Sequence, residues 1–298
     1  MSVELLVPVL LAATSPSVIL VLAAVGEILT EKSGIVNIGI EGMMLISGLA
    51  AAVATHHTGN PWVGVLVAMA VGGILGLVHG VASAKLKANQ IVLGIGLNMF
   101  AIGLAVAVLI SVWGNPGHSS PLPRIPTLSI GGYPFNPFFL IAVGVSVAAY
   151  HILTRTGLGL TIASCGENPR SAEAMGVRVE LVQTLVTGLA GILHGLAGAV
   201  LVLGYVGSFT RDVTAGRGFV ALAIVVVSNW NPLAALLAGY LFGVAEVLAL
   251  TLQALYGLTL GISELLNTIP YIVAIVAVAL YGVKARAPSW LGKPYIKE

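Results

Sequence analysis

Charged side chains are nearly missing from this sequence. Asp, Glu, Lys and Arg supply 8% of its 298 residues, against about 25% in a typical soluble domain. A soluble fold needs charge for its surface, so most of this chain is read as having lipid for its solvent. The net charge of +2 gives no basic surface of the kind that binds nucleic acid. Cysteine is scarce as well. Cys165 stands alone, which excludes an internal disulfide and a cysteine metal cluster. There is no GxxxxGK[ST] phosphate loop, so any ATP-driven work falls to another chain. There is no HExxH, no GxSxG and no Asp/Glu/His cluster with metal-ligand spacing. An intramembrane enzyme is therefore unsupported, with no catalytic residue and no metal ligand to name. The ten-residue alternation of a membrane β-barrel is missing. The apolar N-terminus has no basic stretch before it and no small-residue cleavage site, so it reads as a retained helix rather than a signal peptide.

What the chain does have is long apolar runs. Hydrophobic residues make up 58% of it, and the mean hydropathy is +1.04. A helix needs about 20 apolar residues to cross the hydrocarbon, and the runs yield about nine such helices, with a range of 8–10. They cover 5–29, 35–56, 62–84, 91–113, 137–154, 181–206, 219–229, 233–253 and 269–283. The first is interrupted at Ser15-Pro16, a kink or break. The seventh is short, and a further membrane-dipping helix is expected near 258–266. The expected fold is thus an all-α polytopic membrane protein forming one domain over 1–298, with no soluble domain at either end.

Orientation follows from the basic residues. With the loop at about 155–180 placed inside, Lys32, Lys85, Lys87, Arg155, Arg170, Arg178, Lys284, Arg286, Lys293 and Lys297 fall inside. Of the 13 basic residues only Arg124, Arg211 and Arg217 then fall outside. This sets the N-terminus outside and the C-terminus in the cytoplasm of a multi-pass cell-membrane protein. The outer loop 114–136, rich in Pro, Gly and Ser, reads equally as a docking surface or a solvated connector. Thirty-seven glycines include two stretches, VGGILGLVHG and GLAGILHGLAGAV, with small residues three and four apart. That spacing lets helix backbones approach closely in lipid.

A few polar residues interrupt the runs. Asn37 and Glu41 lie four apart, on one face if the segment is helical. A carboxylate at membrane depth faces the bundle interior or water. Asn98, His79, His194 and Glu246 are the other isolated polar groups. The histidines read as interhelical hydrogen bonders. Asn37, Glu41, Asn98 and Glu246 remain as candidate lining of a translocation path, and a purely structural role is weighed equally for the first two. The stretch TAGRGFVALA opens a short helix with glycines and offers backbone N–H groups to a ligand, or is simply a helix start with a basic residue at the interface.

One stretch is polar throughout: CGENPRSAEAMGV, residues 165–177. Asn168 is a good N-cap, Pro169 suits the first helical position, and Gly176 supplies a left-handed stop. The result is a helix over 169–175, too short to stand alone in water. Its single Met and mixed charges favour a protein partner over a lipid surface.

This loop resembles the coupling helix of ABC importer permeases, in the group that serves branched-chain amino acids, simple sugars and nucleosides. Three segments carry the likeness, GEILTEKSGIVNIGIEGMMLISG, GENPRSAEAMGV and TAGRGFVALAIVVVSNWNP, in matching order over most of the chain. NIGIEGMM and TAGRGFVALA look most like nucleoside (purine) permeases that work with basic-membrane-protein-type lipoproteins. The resemblance implies an ATP-driven import permease for nucleosides or purines that works by alternating access on small-molecule substrates delivered by an extracytoplasmic lipoprotein. A second permease subunit, a paralogue or a copy of itself, completes the path. ATP and magnesium bind a separate ATPase subunit or tandem ATPase, so this chain itself carries no cofactor. Gly166, Glu167, Asn168, Pro169, Arg170, Ala172, Glu173, Ala174 and Gly176 match the coupling pattern. No distinctive substrate motif is present. Simple sugars are the alternative substrate, and an ion-coupled secondary transporter working alone is the alternative class, motivated by Glu41 and Glu246. A membrane scaffold would leave the capped polar helix and the buried acids unexplained.

Overall fold

The computed structural model describes residues 3–256, 266, 268–282 and 285–296. The helices in chain order are α1 (Val3–Ala12), α2 (Thr14–Lys32), α3 (Ile40–Thr58), α4 (Pro61–Ala84) and α5 (Gln90–Trp113). A hairpin follows, β1 (Leu128–Ile130) and β2 (Tyr133–Phe135), then α6 (Phe138–Arg155), α7 (Gly157–Glu167) and α8 (Pro169–Ala174). Next come α9 (Val179–Ala199), its π-helical continuation Val200–Val206, α10 (Arg217–Val227), α11 (Pro232–Tyr256) and α12 (Ile269–Tyr281). The hairpin pairs Leu128 with Phe135 and Ile130 with Tyr133, antiparallel. Its Gly131-Gly132 turn has φ of 61° and 85°, the left-handed backbone a two-residue turn demands.

The all-α membrane class holds, because apolar helices dominate and their outward side chains are apolar. Leu66, Met99, Leu140, Leu237 and Ile275 all point outward and are exposed, which suits lipid and not water. Six helices are long and apolar enough to cross a membrane: α2, α4, α5, α6, α9 with its continuation, and α11. Two apolar helices are shorter, Arg217–Val227 and Ile269–Leu280, and α3, with 19 residues, is long enough but less apolar. The nine expected crossings are therefore not met by full-length apolar helices among the described residues. The helix expected near 258–266 lies outside the described residues, apart from Leu266.

The break in the first run falls at Ala13, between α1 and α2, and not at Ser15-Pro16. Pro16 sits in the first turn of α2, where a missing N–H removes no helical bond. The second run also differs. Residues 33–39 are not helical, and the helix starts only at Ile40. Asn37 and Glu41 therefore do not share a helix face.

α2 is the axial helix. Val18, Ile19 and the stretch from Val21 to Val25 are fully enclosed, with α6, α9, α10 and α11 around them. The two glycine-rich stretches prove to be the facing surfaces of α4 and α9. A Cβ on Gly72 would sit 2.3 Å from the Gly191 carbonyl oxygen, and one on Gly191 would sit 2.2 Å from that of Gly72. Backbone touches backbone here, and any side chain would force the helices apart. His194 bridges two helices, as read from the sequence, whereas His79 ties α4 to the non-helical 33–39 segment. The Nε2 of His79 lies 3.2 Å from the Val36 carbonyl, and that of His194 lies 3.2 Å from the Ala23 carbonyl.

The loop 114–136 folds over the end of the π-helical segment. Ile125 N donates to Leu203 O at 2.9 Å, Leu122 N to Gly207 O at 3.0 Å and Ser119 N to Phe209 O at 2.8 Å. Arg124 Nη2 donates to Val206 O at 2.6 Å. Widening to π geometry frees backbone carbonyls, and this loop supplies donors along that stretch. The opposite end of the bundle, here called the basic end, gathers Lys32, Arg155, Arg178, the start of α11 and residues 285–296.

Candidate translocation site and docking helix

The site in the bundle is built where helices begin partway through it. α10 has 11 residues and rises about 16 Å, too little to cross. Its C-terminal end reaches the basic end, where Asn229, Trp230 and Lys32 line one surface cleft. Its N-terminus therefore starts inside the bundle, and the positive end of a helix dipole is placed there. Glu41, in the first turn of α3, meets it. Its Oε1 accepts from Gly216 N at 2.7 Å and its Oε2 from Gly218 N at 2.6 Å. The backbone N–H groups that the sequence offered to a ligand are thus already taken by a carboxylate of the same chain. Gly218 permits the approach, since a Cβ there would lie 2.7 Å from the Glu41 nitrogen.

The turn before α10 is strained. Ala215 has φ of 45° and Gly216 of 80°. A left-handed alanine costs roughly 1–2 kcal/mol. Tyr271 of α12 holds it by donating its hydroxyl hydrogen bond to the Ala215 carbonyl. Strain of this kind persists only where the surroundings over-determine it.

Arg217 points the other way, toward α11. Its Nη2 meets Glu246 Oε1 at 2.5 Å, and Tyr205 donates its hydroxyl hydrogen bond to the same oxygen at 3.2 Å. The guanidinium also stands 5.8 Å from the centre of the Tyr205 ring, a cation–π arrangement. Arg217 and Glu246 are mostly buried, and Arg217 Nε has no hydrogen-bond partner among the described residues. Asn98 of α5 caps α3. Its Oδ1 accepts from Gly42 N at 2.8 Å, and its Nδ2 donates to Ile38 O at 3.0 Å.

Two cavities flank the 214–218 turn. One of about 350 Å³ is lined by Tyr205, Arg217, Glu246 and Tyr271. The other, about 590 Å³, is lined by Glu41, Asn98, Met99, Arg211, Asp212 and Phe219. Ala215 borders both. Of the four residues picked from sequence, Glu41, Asn98 and Glu246 line cavities around one turn. Asn37 does not. It is buried in the 33–39 segment, where its Oδ1 accepts from Gly39 N at 3.0 Å and its own N–H donates to Glu27 Oε1 at 2.8 Å. Arg217, Tyr205 and Tyr271 were missed as lining residues.

Sequence reading also passed over Glu27 and Glu31. They are 0% and 6% exposed. Trp230 Nε1 donates to Glu31 Oε2 at 2.5 Å. These acids tie the end of α2 to the 33–39 segment and to the turn after α10. The available signal was two acids four apart before Lys32, which sequence alone cannot tell from an ordinary solvated helix end. Among the described residues no group of three or more His, Cys, Asp or Glu is placed to hold a metal ion.

At the basic end, α8 is shorter by one residue than the expected helix. Asn168 Oδ1 accepts from Ser171 N at 3.1 Å, and Gly176, with φ of 88°, ends the turn. The loop also contains α7, an 11-residue helix that sequence reading had treated as loop and membrane end. Gly166 lets α7 reach the end of α2, since a Cβ there would lie 2.3 Å from Lys32 O. Pro169 and Ala172 face inward. Ala172 is buried against Cys165, Val179 and Tyr295. Asn168, Arg170, Ala174, Met175 and Gly176 are exposed, Met175 to 86%. Glu167 and Glu173 are engaged by the C-terminal segment. Burial pushes the Cys165 thiol up to about 11.

Half-length helices that start inside the bundle, with polar side chains gathered at those starts, define a helical membrane transporter. The chain belongs to the family described as "Branched-chain amino acid transport system / permease component", which it matches over residues 9–283. The three segments quoted above had pointed to this family. The chain is 31% identical to the guanosine ABC transporter permease protein NupQ of Bacillus subtilis, over 99% of this chain and 97% of that one. It is 33% identical to the nucleoside ABC transporter permease protein NupC of Lactococcus lactis subsp. cremoris, over 93% of each. A more distant relative, the glucose ABC transporter permease protein TsgB13 of Haloferax volcanii, is 26% identical over 84% of this chain and 71% of its own. No solved structure matches the chain.

Proposed function

We infer that this chain is the permease subunit of an ATP-driven importer of nucleosides. The observation that carries the substrate reading is the internal pairing of charge around the two cavities. Glu41 is held by two backbone N–H groups at the positive start of α10, Arg217 is paired with Glu246, and Arg211 with Asp212 at 3.1 Å. A lining with no unpaired charge suits a neutral polar solute. A carboxylate or phosphate would have to displace Glu41 from the helix dipole. Tyr205 and Tyr271 add flat surfaces for a base, and Arg217 Nε adds an unmatched donor. The relatives named for guanosine and nucleosides support the same reading. A glucose-type solute is the second reading, since it too is neutral and TsgB13 is named for it.

In this reading α3, α12 and α10, the last together with the non-helical residues 207–216 before it, complete nine passes, with the N-terminus outside and the basic end in the cytoplasm of the cell membrane. An ATPase subunit or tandem ATPase hydrolyses ATP there, and α8 docks on it through Arg170, Ala174 and Met175. A second permease chain, paralogue or copy, faces this one, and an extracytoplasmic lipoprotein delivers substrate. The permease binds no cofactor of its own. The test is uptake in proteoliposomes. The permease pair with its ATPase and binding lipoprotein should take up tritiated nucleoside only with ATP on the ATPase side. Ion-gradient-driven uptake by the permease alone would overturn the class, and preference for glucose would overturn the substrate.

A further inference from the structure

The coupling reading leaves a mechanical problem. α8 has six residues, and apart from α7 and the start of α9 no other described helix packs on it closely. A force applied to so short a helix is transmitted only if the helix is anchored. The C-terminal segment supplies that anchor by bonding α8 and the two elements beside it, α7 and the end of α2, at four points. Ser289 donates to Glu167 Oε2 from both its N–H, at 3.1 Å, and its hydroxyl, at 2.8 Å. Trp290 N donates to Gly166 O at 2.8 Å, and Gly292 N to Gly34 O at 3.1 Å. Tyr295 donates its hydroxyl hydrogen bond to Glu173 Oε2.

The Tyr295 ring is only 7% exposed, packed with Cys165, Ala172 and Val179. Lys87 Nζ stands 5.9 Å from the ring centre and bonds Glu180 Oε1 at 2.6 Å. The segment therefore spans α7, α8, the start of α9 and the end of α2. The Tyr295–Glu173 bond falls on α8 itself, and the other contacts hold Glu167 and Gly166 at the end of α7 and Gly34 after α2.

We propose that residues 289–295 form a clasp that fixes the tilt of α8 against α2, with Tyr295 as its positioning residue. The clasp turns motion of α8 into motion of α2, the axial helix, and so of the cavities around it. It rests on the reading of α8 as the coupling helix. Loss of the Tyr295–Glu173 bond, a hydrogen bond to a charged group, shifts the clasped population on the order of tenfold.

The experiment uses the full complex in nanodiscs and proteoliposomes, with Tyr295→Phe, Tyr295→Ala and Ser289→Ala. Two quantities are read: nucleoside taken up per ATP hydrolysed, and amide hydrogen exchange over 169–176. Tyr295→Ala should leave the complex assembled and hydrolysing ATP, lower uptake per ATP on the order of tenfold, and speed exchange in α8. Tyr295→Phe, which keeps the ring, should fall between it and the parent chain. Unchanged coupling and unchanged exchange in Tyr295→Ala would overturn the clasp. A parallel variant, Met175→Asp, separates the two readings. If Met175→Asp abolishes uptake while Tyr295→Ala changes nothing, the clasp fails and the coupling helix stands. If Tyr295→Ala loosens α8 but neither variant affects uptake, α8 is not the coupling helix, and the clasp has no coupling role.

Discussion

Inside the bundle, every carboxylate around the 214–218 turn ends on a partner from its own chain. Glu41 holds the start of α10, and Glu246 holds Arg217 and Tyr205. At the basic end the acids also bond their own chain, Glu167 to Ser289 and Glu173 to Tyr295, but the opposite face of α8 is left exposed around Met175. The difference follows from the solvent. A polar group facing lipid has nothing else to bond, so its pairing must close within the chain. A polar helix at a water interface tolerates an open face, and that face can meet another protein. One region is shaped to leave no charge over, the other to leave a surface over.

The comparison predicts where substitutions hurt most. Glu246→Ala leaves Arg217 charged, buried and unpaired, which costs about 3–5 kcal/mol. Thermal unfolding of the detergent-solubilised protein should drop sharply, and Arg217→Met in the same chain should recover most of the loss without recovering uptake. Gly191→Leu would push a side chain into the Gly72 backbone and separate α4 from α9. Overpacking of this sort costs about 1–3 kcal/mol or more, read as lower yield of folded protein.

Glu41→Gln keeps the shape and removes the charge at the start of α10. A weakening of about 1 kcal/mol is expected there, and uptake of anionic solutes relative to neutral ones should rise. Asn168→Ala removes the cap of α8 and costs about 1 kcal/mol, small for global stability. Its effect should appear in coupling before it appears in melting. The smallest effect concerns Cys165. Its thiol, pushed up to about 11, is almost wholly protonated at pH 8. Maleimide should label the folded protein slowly, and quickly only after denaturation.

Much of the basic end was legible in the sequence, because capping is local chemistry. Asn168, Pro169 and Gly176 announced a helix within one residue of its bounds. The glycine stretches announced close helix packing, since spacing alone shows a small face. The bundle site was legible only in part. Glu41, Asn98 and Glu246 stood out as polar residues in apolar runs, but their partners lie far along the chain, as Gly216 does from Glu41. Asn37 was misassigned to a helix because Ile35, Val36 and Ile38 continue the apolar run through an irregular segment, and hydropathy does not report backbone geometry. The inward packing of Ala172 was not legible, because a small residue reads the same whether it faces in or out. The C-terminal segment gave no local sign at all, since its contacts with Gly34 and Gly166 depend entirely on the tertiary fold.

The claim that matters most is that the path carries no unpaired charge. Competition in proteoliposomes holding the permease pair, its ATPase and its lipoprotein tests it most directly, with a tritiated nucleoside set against its own 5′-monophosphate. The two differ only in the phosphate, so pocket size for the base and ribose is held constant. The account predicts ATP-dependent uptake of the nucleoside and no uptake of the monophosphate, with Glu41→Gln narrowing the gap. Equal uptake of both, or preference for the monophosphate, would contradict it.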